Sequence, residues 1–481
     1  AYDDFPTYRK QLDARFAQWL EKKYGTQEKL AAAWGQALTS SERLAEGTVK
    51  VEANPWGMTE AGLPREPGGP RTRRLDNAAF LHEVQNVFYN RFVKAIRETG
   101  YQGPLIGSPW QAPGMLPHYY NLRSDDQVGY IDRHNYFGEA LHDTLLKTPG
   151  GGYLSSGLQQ VAGKPFGVSE WIHVYPCLNS AEGPVLMAAY GMGLQGWGAS
   201  YEFQSTSARI NWEQALAGNL PYGVWNADVP TQMGQYPILA RMVYRGDVST
   251  GPVISTRQVS PQNLATGEFD FTDKIQQQGD VKAFTGTVPA ESLAAGRVLV
   301  EFVAGQSRST FPEMAKYRKG TAIVSATGQL TWETAGEGWV TIDTAGTQGY
   351  VGFAAGQTLK LGDLHIQPTS HYAAVLVTAN TAKGTLARDE TALISAVARN
   401  ANTGFRVLTL DGKTIVDNGK APILLEPVRA EVTFARRKIA RVQVLDQDGQ
   451  RTNRTVPVQQ GRFTIDTGRD QTMYYEVVFQ K

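Results

Sequence analysis

Four short apolar runs in the first half of the chain each lead into polar or aromatic side chains, and this pattern constrains the fold more than any other feature. In chain order the runs lead to Trp110, to His134, Asn135 and Tyr136, to Glu170 and Trp171, and through Trp197 to Glu202. Helical or long irregular connections separate them. Strands that alternate with helices are typical of parallel (β/α) barrels, whose functional side chains lie at the carboxyl ends of the strands. The pattern predicts barrel strands, but only four of the eight that a closed barrel contains.

Helical patterns precede these runs. Apolar residues at helical spacing predict a helix over residues 8–24, which Gly25 ends. Thr26 is predicted to cap a second helix that ends at Gly35. A Pro-, Gly- and Arg-rich stretch over residues 39–74 predicts an irregular excursion, after which Asp76 is predicted to cap a long amphipathic helix.

The pattern changes after about residue 246. Runs such as 297–302, 339–343 and 372–377 alternate apolar and polar residues between Gly, Asp, Asn and Thr. Such alternation is typical of antiparallel sheets with one solvated face. The predicted fold class is therefore α/β plus all-β, with barrel strands in residues 1–250, a β-sandwich accessory domain in 251–390 and a C-terminal β domain in 391–481.

Composition excludes several classes of function. The 47 Lys and Arg residues nearly balance the 46 Asp and Glu residues, so nucleic acid and anionic membranes are not expected as partners. No apolar run is long enough to span a bilayer. Cys177 is the only cysteine, which excludes an internal disulfide and a thiolate zinc cluster, and the seven His residues lack paired ligand spacing. We expect no metal and no cofactor.

Glu170 is the strongest catalytic candidate. It ends an apolar run directly before Trp171, and a carboxylate beside an aromatic platform suits attack on the anomeric carbon of a sugar. The alternative is that Glu170 is a salt-bridged loop residue.

With these residues placed, the first half of the chain resembles a known family. Residues 16–26 (FAQWLEKKYGT), then Leu30 and Trp34, the Pro-rich excursion and the long helix follow the order seen after the fourth barrel strand of retaining β-glycosidases of glycoside hydrolase clan A. The likeness is closest to the β-galactosidases of glycoside hydrolase family 42 and covers roughly residues 8–250. The chain thus resembles the C-terminal half of a (β/α)8 barrel.

The resemblance implies roles for individual residues. Glu170 matches the nucleophile on the seventh strand, and Trp110 lies on the fifth. His134, Asn135 and Tyr136 match the end of the sixth strand, and Trp197 matches the tryptophan that floors the sugar subsite on the eighth. The first four strands are absent, together with the Asn-Glu pair that carries the general acid/base. The resemblance therefore implies a partner segment or chain that supplies the N-terminal half-barrel.

The resulting hypothesis is a retaining β-glycoside hydrolase that acts on galactosides or related oligo- or polysaccharides. Trp110, His134, Asn135, Tyr136, Trp171, Trp197 and Glu202 are the predicted substrate-binding residues, although Glu202 and Asp132 are also considered as a substitute acid, and Glu202 as a salt-bridge residue. The alternative is a non-catalytic carbohydrate-binding or scaffold protein on a degenerate barrel. We expect a periplasmic or extracellular location and consider a homo-oligomer.

Overall fold

The computed structural model describes residues 5–52, 63–64, 67–112, 114–204, 225, 227–278 and 281–480. The α-helices of these ranges are α1 (Pro6–Tyr24), α2 (Gln27–Trp34), α3 (Gly69–Glu98), α4 (Met115–Val128), α5 (Glu182–Leu186), α6 (Pro230–Met233), α7 (Tyr236–Arg245), α8 (Pro261–Thr266), α9 (Ser292–Ala295) and α10 (Thr467–Asp470). Further helical segments are the 3₁₀ segments Gly35–Ala37, Leu145–Lys147, Gly152–Gln159 and Met314–Lys316 and the π-helical Met187–Leu194. None of the helices described combines the length and the apolar character needed to cross a membrane.

A parallel sheet forms the first part of the fold. Its strands β1 (Ile131–His134), β2 (Phe166–Trp171) and β3 (Ala199–Glu202) lie side by side in chain order. A parallel bridge between Ile106 and Tyr130 places the segment before Trp110 beside β1. The carboxyl ends of these segments therefore meet at one edge, as parallel strands require.

One predicted strand is wrong in its position. The run from Gly193 to Trp197 was expected to be extended, but Met187–Leu194 is π-helical and the strand begins only at Ala199. The apolar run of this helix is buried at Met187–Gly191 and Leu194. Periodicity cannot distinguish a short buried helix from a buried strand, which explains the shift.

The first two helices form as predicted. The Thr26 hydroxyl accepts a hydrogen bond from the Lys29 N–H at 3.3 Å, and α2 ends at Gly35 with φ 51°. The predicted start of the long helix is wrong, because α3 begins at Gly69 and contains Asp76. The buried Asp76 carboxylate instead accepts hydrogen bonds from Trp34 Nε1 (2.8 Å) and Tyr24 Oη (2.7 Å).

Strands dominate the rest of the chain. They are β4 (Val253–Val259), β5 (Asp273–Gln278), β6 (Val281–Gly286), β7 (Arg297–Phe302), β8 (Arg318–Lys319), β9 (Ala322–Val324), β10 (Leu330–Glu333), β11 (Trp339–Asp343), β12 (Thr347–Gly352), β13 (Leu359–Lys360), β14 (Leu364–Pro368), β15 (Ala373–Ala379), β16 (Thr391–Val397), β17 (Asn400–Thr403), β18 (Arg406–Val407), β19 (Ile415–Asp417), β20 (Lys420–Leu425), β21 (Arg429–Phe434), β22 (Ile439–Leu445), β23 (Arg451–Val456), β24 (Arg462–Asp466) and β25 (Tyr474–Phe479). The mixture of helices with a β-rich second part agrees with the predicted class, α/β plus all-β.

Ten of these strands form one antiparallel sheet, in the order β23-β22-β25-β16-β15-β12-β11-β10-β9-β8. A four-stranded sheet, β13-β14-β21-β24, contributes to the same hydrophobic core. The predicted boundary between residues 390 and 391 differs from this arrangement, because β15 and β16 on its two sides are paired neighbours in the large sheet. Strand β16 also pairs with β25, and a pairing between strands so distant in sequence leaves no local signal from which the boundary could be placed.

Residues 253–302 pack back onto the parallel sheet. Strands β4 and β7 are parallel partners, and Val300 bridges to Val161, five residues before β2. The hairpin of β5 and β6 reaches further, because Val281 bridges to Tyr136 just beyond β1. The hairpin therefore lies beside the carboxyl ends of the parallel strands, although the sequence predicted it in the next domain.

Candidate active site

Glu170 lies at the carboxyl end of β2 and faces two side chains from the end of β1. The Tyr136 hydroxyl donates a hydrogen bond to Glu170 Oε2, and His134 Nδ1 lies 3.3 Å from the same oxygen. The parallel register shifts here, so that His134 becomes the partner of Glu170. The Glu170 side chain keeps 27% of its surface exposed. The site thus presents a carboxylate that is both hydrogen-bonded and accessible.

The second ring nitrogen of His134 contacts a serine. His134 Nε2 lies 2.8 Å from Ser169 Oγ, and the Ser169 hydroxyl donates to Asp132 Oδ2 at 2.5 Å. The Ser169 N–H donates to the second Asp132 oxygen at 2.9 Å. The sequence placed Ser169 and Asp132 near the site but gave no indication that they bond to His134.

Lys282 is a site residue that the sequence did not reveal. Its buried ammonium group lies 4.2 Å from the centroid of the Trp110 ring and donates to the His134 main-chain oxygen at 3.1 Å. Trp110 itself remains 47% exposed. The alternation of residues 281–286 could have suggested a strand, but its contact with β1 spans nearly 150 residues of sequence and has no local signal.

Asn135 joins this hairpin to the sheet. Its amide group donates to the main-chain oxygens of Lys282 and Gly152, both at 3.0 Å, and its Oδ1 accepts the Lys282 N–H at 2.8 Å. The side chain is buried. Its hydrogen bonds are thus made within the fold, and substrate binding by Asn135 stays a prediction.

The charges around His134 shift its pKa in opposite directions. Burial lowers the pKa of His134 most, the positive charges of Lys282 and Arg133 lower it further, and Glu170 and Asp132 raise it. The net effect holds the pKa of the imidazole below its ordinary value. The neutral imidazole therefore predominates at neutral pH.

Aromatic rings continue beyond the strand ends. Tyr136 packs at 6.2 Å from Phe203 and at 6.1 Å from Trp225, measured between ring centroids. Ile172 joins the same small cluster. Trp225 was not predicted, because it lies outside any strand-end pattern.

The two other predicted tryptophans are buried. Trp171 Nε1 donates to Ser200 Oγ at 2.8 Å, and its ring packs on Tyr153. Trp197 lies before β3 and packs 5.1 Å from Phe166, the first residue of β2. Trp197 therefore lies at the amino ends of the strands, opposite Glu170, which differs from the predicted floor of a sugar subsite. The physical reason is the helix that replaces the expected strand before it.

The Glu202 side chain is hydrogen-bonded to a residue outside the candidate site. Its Oε2 accepts a hydrogen bond from Tyr236 Oη of α7 at 2.7 Å. Burial raises the pKa of Glu202 to about 8, and the nearby Asp228 charge adds to the increase. The predicted alternatives for Glu202 were a substitute acid, a substrate hydrogen bond and a salt bridge, and its observed partner is a tyrosine hydroxyl.

No group of three or more His, Cys, Asp or Glu side chains within the described ranges is placed to hold a metal ion. Cys177 is buried, and burial raises the pKa of its thiol well above the ordinary value. These observations give no support to thiolate chemistry at this position.

Comparisons with known proteins identify no relatives: no family model, curated protein or solved structure matches this chain.

Proposed function

We propose that the protein is a retaining β-glycoside hydrolase that acts on galactosides or related oligo- or polysaccharides, with Glu170 as the nucleophile. The observation that carries the proposal is the hydrogen bond from Tyr136 to a partly exposed carboxylate at a parallel strand end. A hydroxyl donor fixes the orientation of the carboxylate. An ionised, accessible carboxylate is what the first displacement requires.

Trp110 would supply the sugar platform. Lys282 covers part of its ring, while 47% of the residue stays open to solvent. Sugars bind through their apolar faces to exposed aromatic rings, and a cation on the ring restrains its orientation.

The general acid/base would come from outside the residues around Glu170. Retaining hydrolysis requires a second carboxyl at about 5–5.5 Å. Asp132 accepts two hydrogen bonds from Ser169, and Glu202 accepts one from Tyr236. We therefore propose that a preceding segment or companion chain supplies the acid/base Glu and completes a barrel of which the parallel sheet is the C-terminal half.

A carbohydrate-binding protein without turnover is the second candidate. The exposed Trp110 favours it, and it requires no second carboxyl. It predicts sugar binding that survives the replacement of Glu170 by Gln and no covalent intermediate in the unmodified protein.

The geometry suggests acyl transfer as a third candidate activity. Ser169, His134 and Glu170 are connected like a Ser-His-acid triad, with separations of 2.8 and 3.3 Å. However, the Ser169 hydroxyl and N–H both donate to Asp132. The proton that His134 would remove and the N–H next to an oxyanion are thus already engaged, so we do not favour this activity.

Covalent trapping tests the proposal. The purified protein, with any companion segment retained, would be incubated with 2-deoxy-2-fluoro-β-galactoside, and peptide mass spectrometry would locate the label. We expect the label on Glu170, and none in Glu170→Gln. Glu301→Gln is the matched control, because Glu301 lies on β7 and accepts from Gln258. A label on another residue would refute the assignment, and sugar binding without any label would favour the second candidate.

A further inference from the structure

Four side chains at the ends of β1 and β2 form a continuous chain of polar contacts. Asp132 Oδ2 contacts Ser169 Oγ, Ser169 Oγ contacts His134 Nε2 at 2.8 Å, and His134 Nδ1 contacts Glu170 Oε2 at 3.3 Å. Asp132 is buried, and only 12% of the His134 side chain is exposed. The geometry of this chain restricts where its protons lie.

Each of the three contacts requires one proton to be a hydrogen bond. The Ser169 hydroxyl supplies one proton and a neutral imidazole supplies another, while ionised carboxylates supply none. With neutral His134 and two carboxylates, one contact therefore lacks a proton. The chain is complete only with a third proton, held by His134 as imidazolium or by one of the two carboxyl groups.

The Asp132 end fixes the direction of the chain. The Ser169 N–H donates to Asp132 Oδ1 and the Ser169 hydroxyl donates to Asp132 Oδ2, so the single hydroxyl proton of Ser169 is directed at Asp132. Ser169 Oγ must then accept from His134 Nε2–H. The contact that lacks a proton in the neutral state is consequently the one between Nδ1 and Glu170.

We propose that Asp132 and Ser169 are positioning residues that hold His134 in the Nε2-protonated tautomer, so that one proton is shared between His134 Nδ1 and Glu170 Oε2. When Glu170 is protonated, its O–H bond breaks and an N–H bond forms at Nδ1, which leaves a carboxylate and an imidazolium. This step needs no other reactant. The inference rests on the proposed role of Glu170 and adds a means of controlling its charge.

The surroundings of His134 set the pH range of this exchange. Glu170 and Asp132 favour the imidazolium, whereas burial, Lys282 and Arg133 oppose it, and Tyr136 donates to the same Glu170 oxygen. Because the pKa of His134 is held below its ordinary value, the imidazolium forms only on the acid side of neutrality. The coupling would therefore appear in the acid limb of a pH profile.

Nitrogen-15 NMR of the full-length protein, with the seven His rings labelled and His134 assigned through His134→Gln, tests the proposal. In the unmodified protein we expect the Nε2-protonated tautomer above the pKa of His134. Ser169→Ala should convert it to the Nδ1-protonated tautomer, because Nδ1–H can then donate to ionised Glu170. Asp132→Asn should lower the pKa of His134, since a nearby negative charge that favours the imidazolium is lost.

Two control variants separate this role from packing. Ser124→Ala removes a buried hydroxyl of α4 that donates to Tyr120 O, and Asp126→Asn removes a carboxylate that pairs with Arg123. Neither should change the tautomer. An Nδ1-protonated ring in the unmodified protein, or an unchanged tautomer and pKa in folded Ser169→Ala and Asp132→Asn, would overturn the inference. The NMR result does not depend on turnover, so the expected shifts in a protein that gives no covalent label at Glu170, with its companion segment present, would support the chain of contacts while refuting the proposed function.

Discussion

The Tyr136 hydroxyl donates its hydrogen bond to Glu170 across the ends of two neighbouring parallel strands. Hydrogen bonds to charged groups contribute about 1.5–3 kcal/mol. Tyr136→Phe should therefore lower kcat/KM by roughly 10- to 150-fold if the bond is fully used in the transition state. Steady-state kinetics on an aryl β-galactoside would measure this. Tyr244→Phe, a 90% exposed control on α7, should be neutral, and equal rates for both variants would contradict the role of Tyr136.

The charge of Lys282 should lower the pKa of His134. Its positive charge opposes imidazolium formation, so Lys282→Met, which keeps the length of the side chain, should raise the pKa of His134 toward its ordinary value of 6.5. An NMR titration of the ring measures the shift, and Lys274→Met on the same hairpin is the exposed control. A fall in the pKa, or equal shifts in both variants, would show that Lys282 does not act through charge.

Asn135→Ala should destabilise the fold rather than weaken sugar contacts alone. It leaves the buried N–H and oxygen of Lys282 without their partner, at a cost of about 1–3 kcal/mol for each unsatisfied group. Chemical denaturation should show a lower free energy of unfolding. Asn380→Ala, which loses an exposed bond to Thr391, is the control. An unchanged free energy in Asn135→Ala would mean that Asn135 does not anchor the hairpin.

Glu202 should make stability depend on pH. Its pKa rises from 4.5 to about 8 in the folded protein, so the folded state retains a proton that the unfolded state releases. This contribution is fully present below about pH 4.5 and is lost progressively as the pH rises to about 8. Glu202→Gln should remove this part of the decline, as measured by the difference in unfolding free energy between the two proteins at pH 5 and pH 8. Parallel stability curves for the two proteins would contradict the raised pKa.

Local patterns were sufficient for several features of the fold. Thr26 and Gly35 bound α2 as predicted, because capping and positive φ depend on the residue at the position itself. The runs that lead to His134 and Glu170 form strands as predicted, because an apolar run with a polar end is a local feature. In the structure these two strands are parallel neighbours. The prediction that Asp76 caps the long helix was wrong, because it used only the local preference of Asp for helix starts. The bonds of Asp76 to Trp34 and Tyr24 connect residues that are distant in sequence.

The sequence by itself therefore determined the α/β and all-β parts of the chain and the position of Glu170, since each depends on residues that are close in sequence. Only the tertiary structure joined Ser169 and Asp132 to His134, brought Lys282 against Trp110, and turned Glu202 toward Tyr236. It also joined β16 to both β15 and the distant β25, so that one sheet crosses the predicted domain boundary. The physical reason is that strand register and the docking of a distant hairpin are set by the summed burial of many side chains, which no local pattern records.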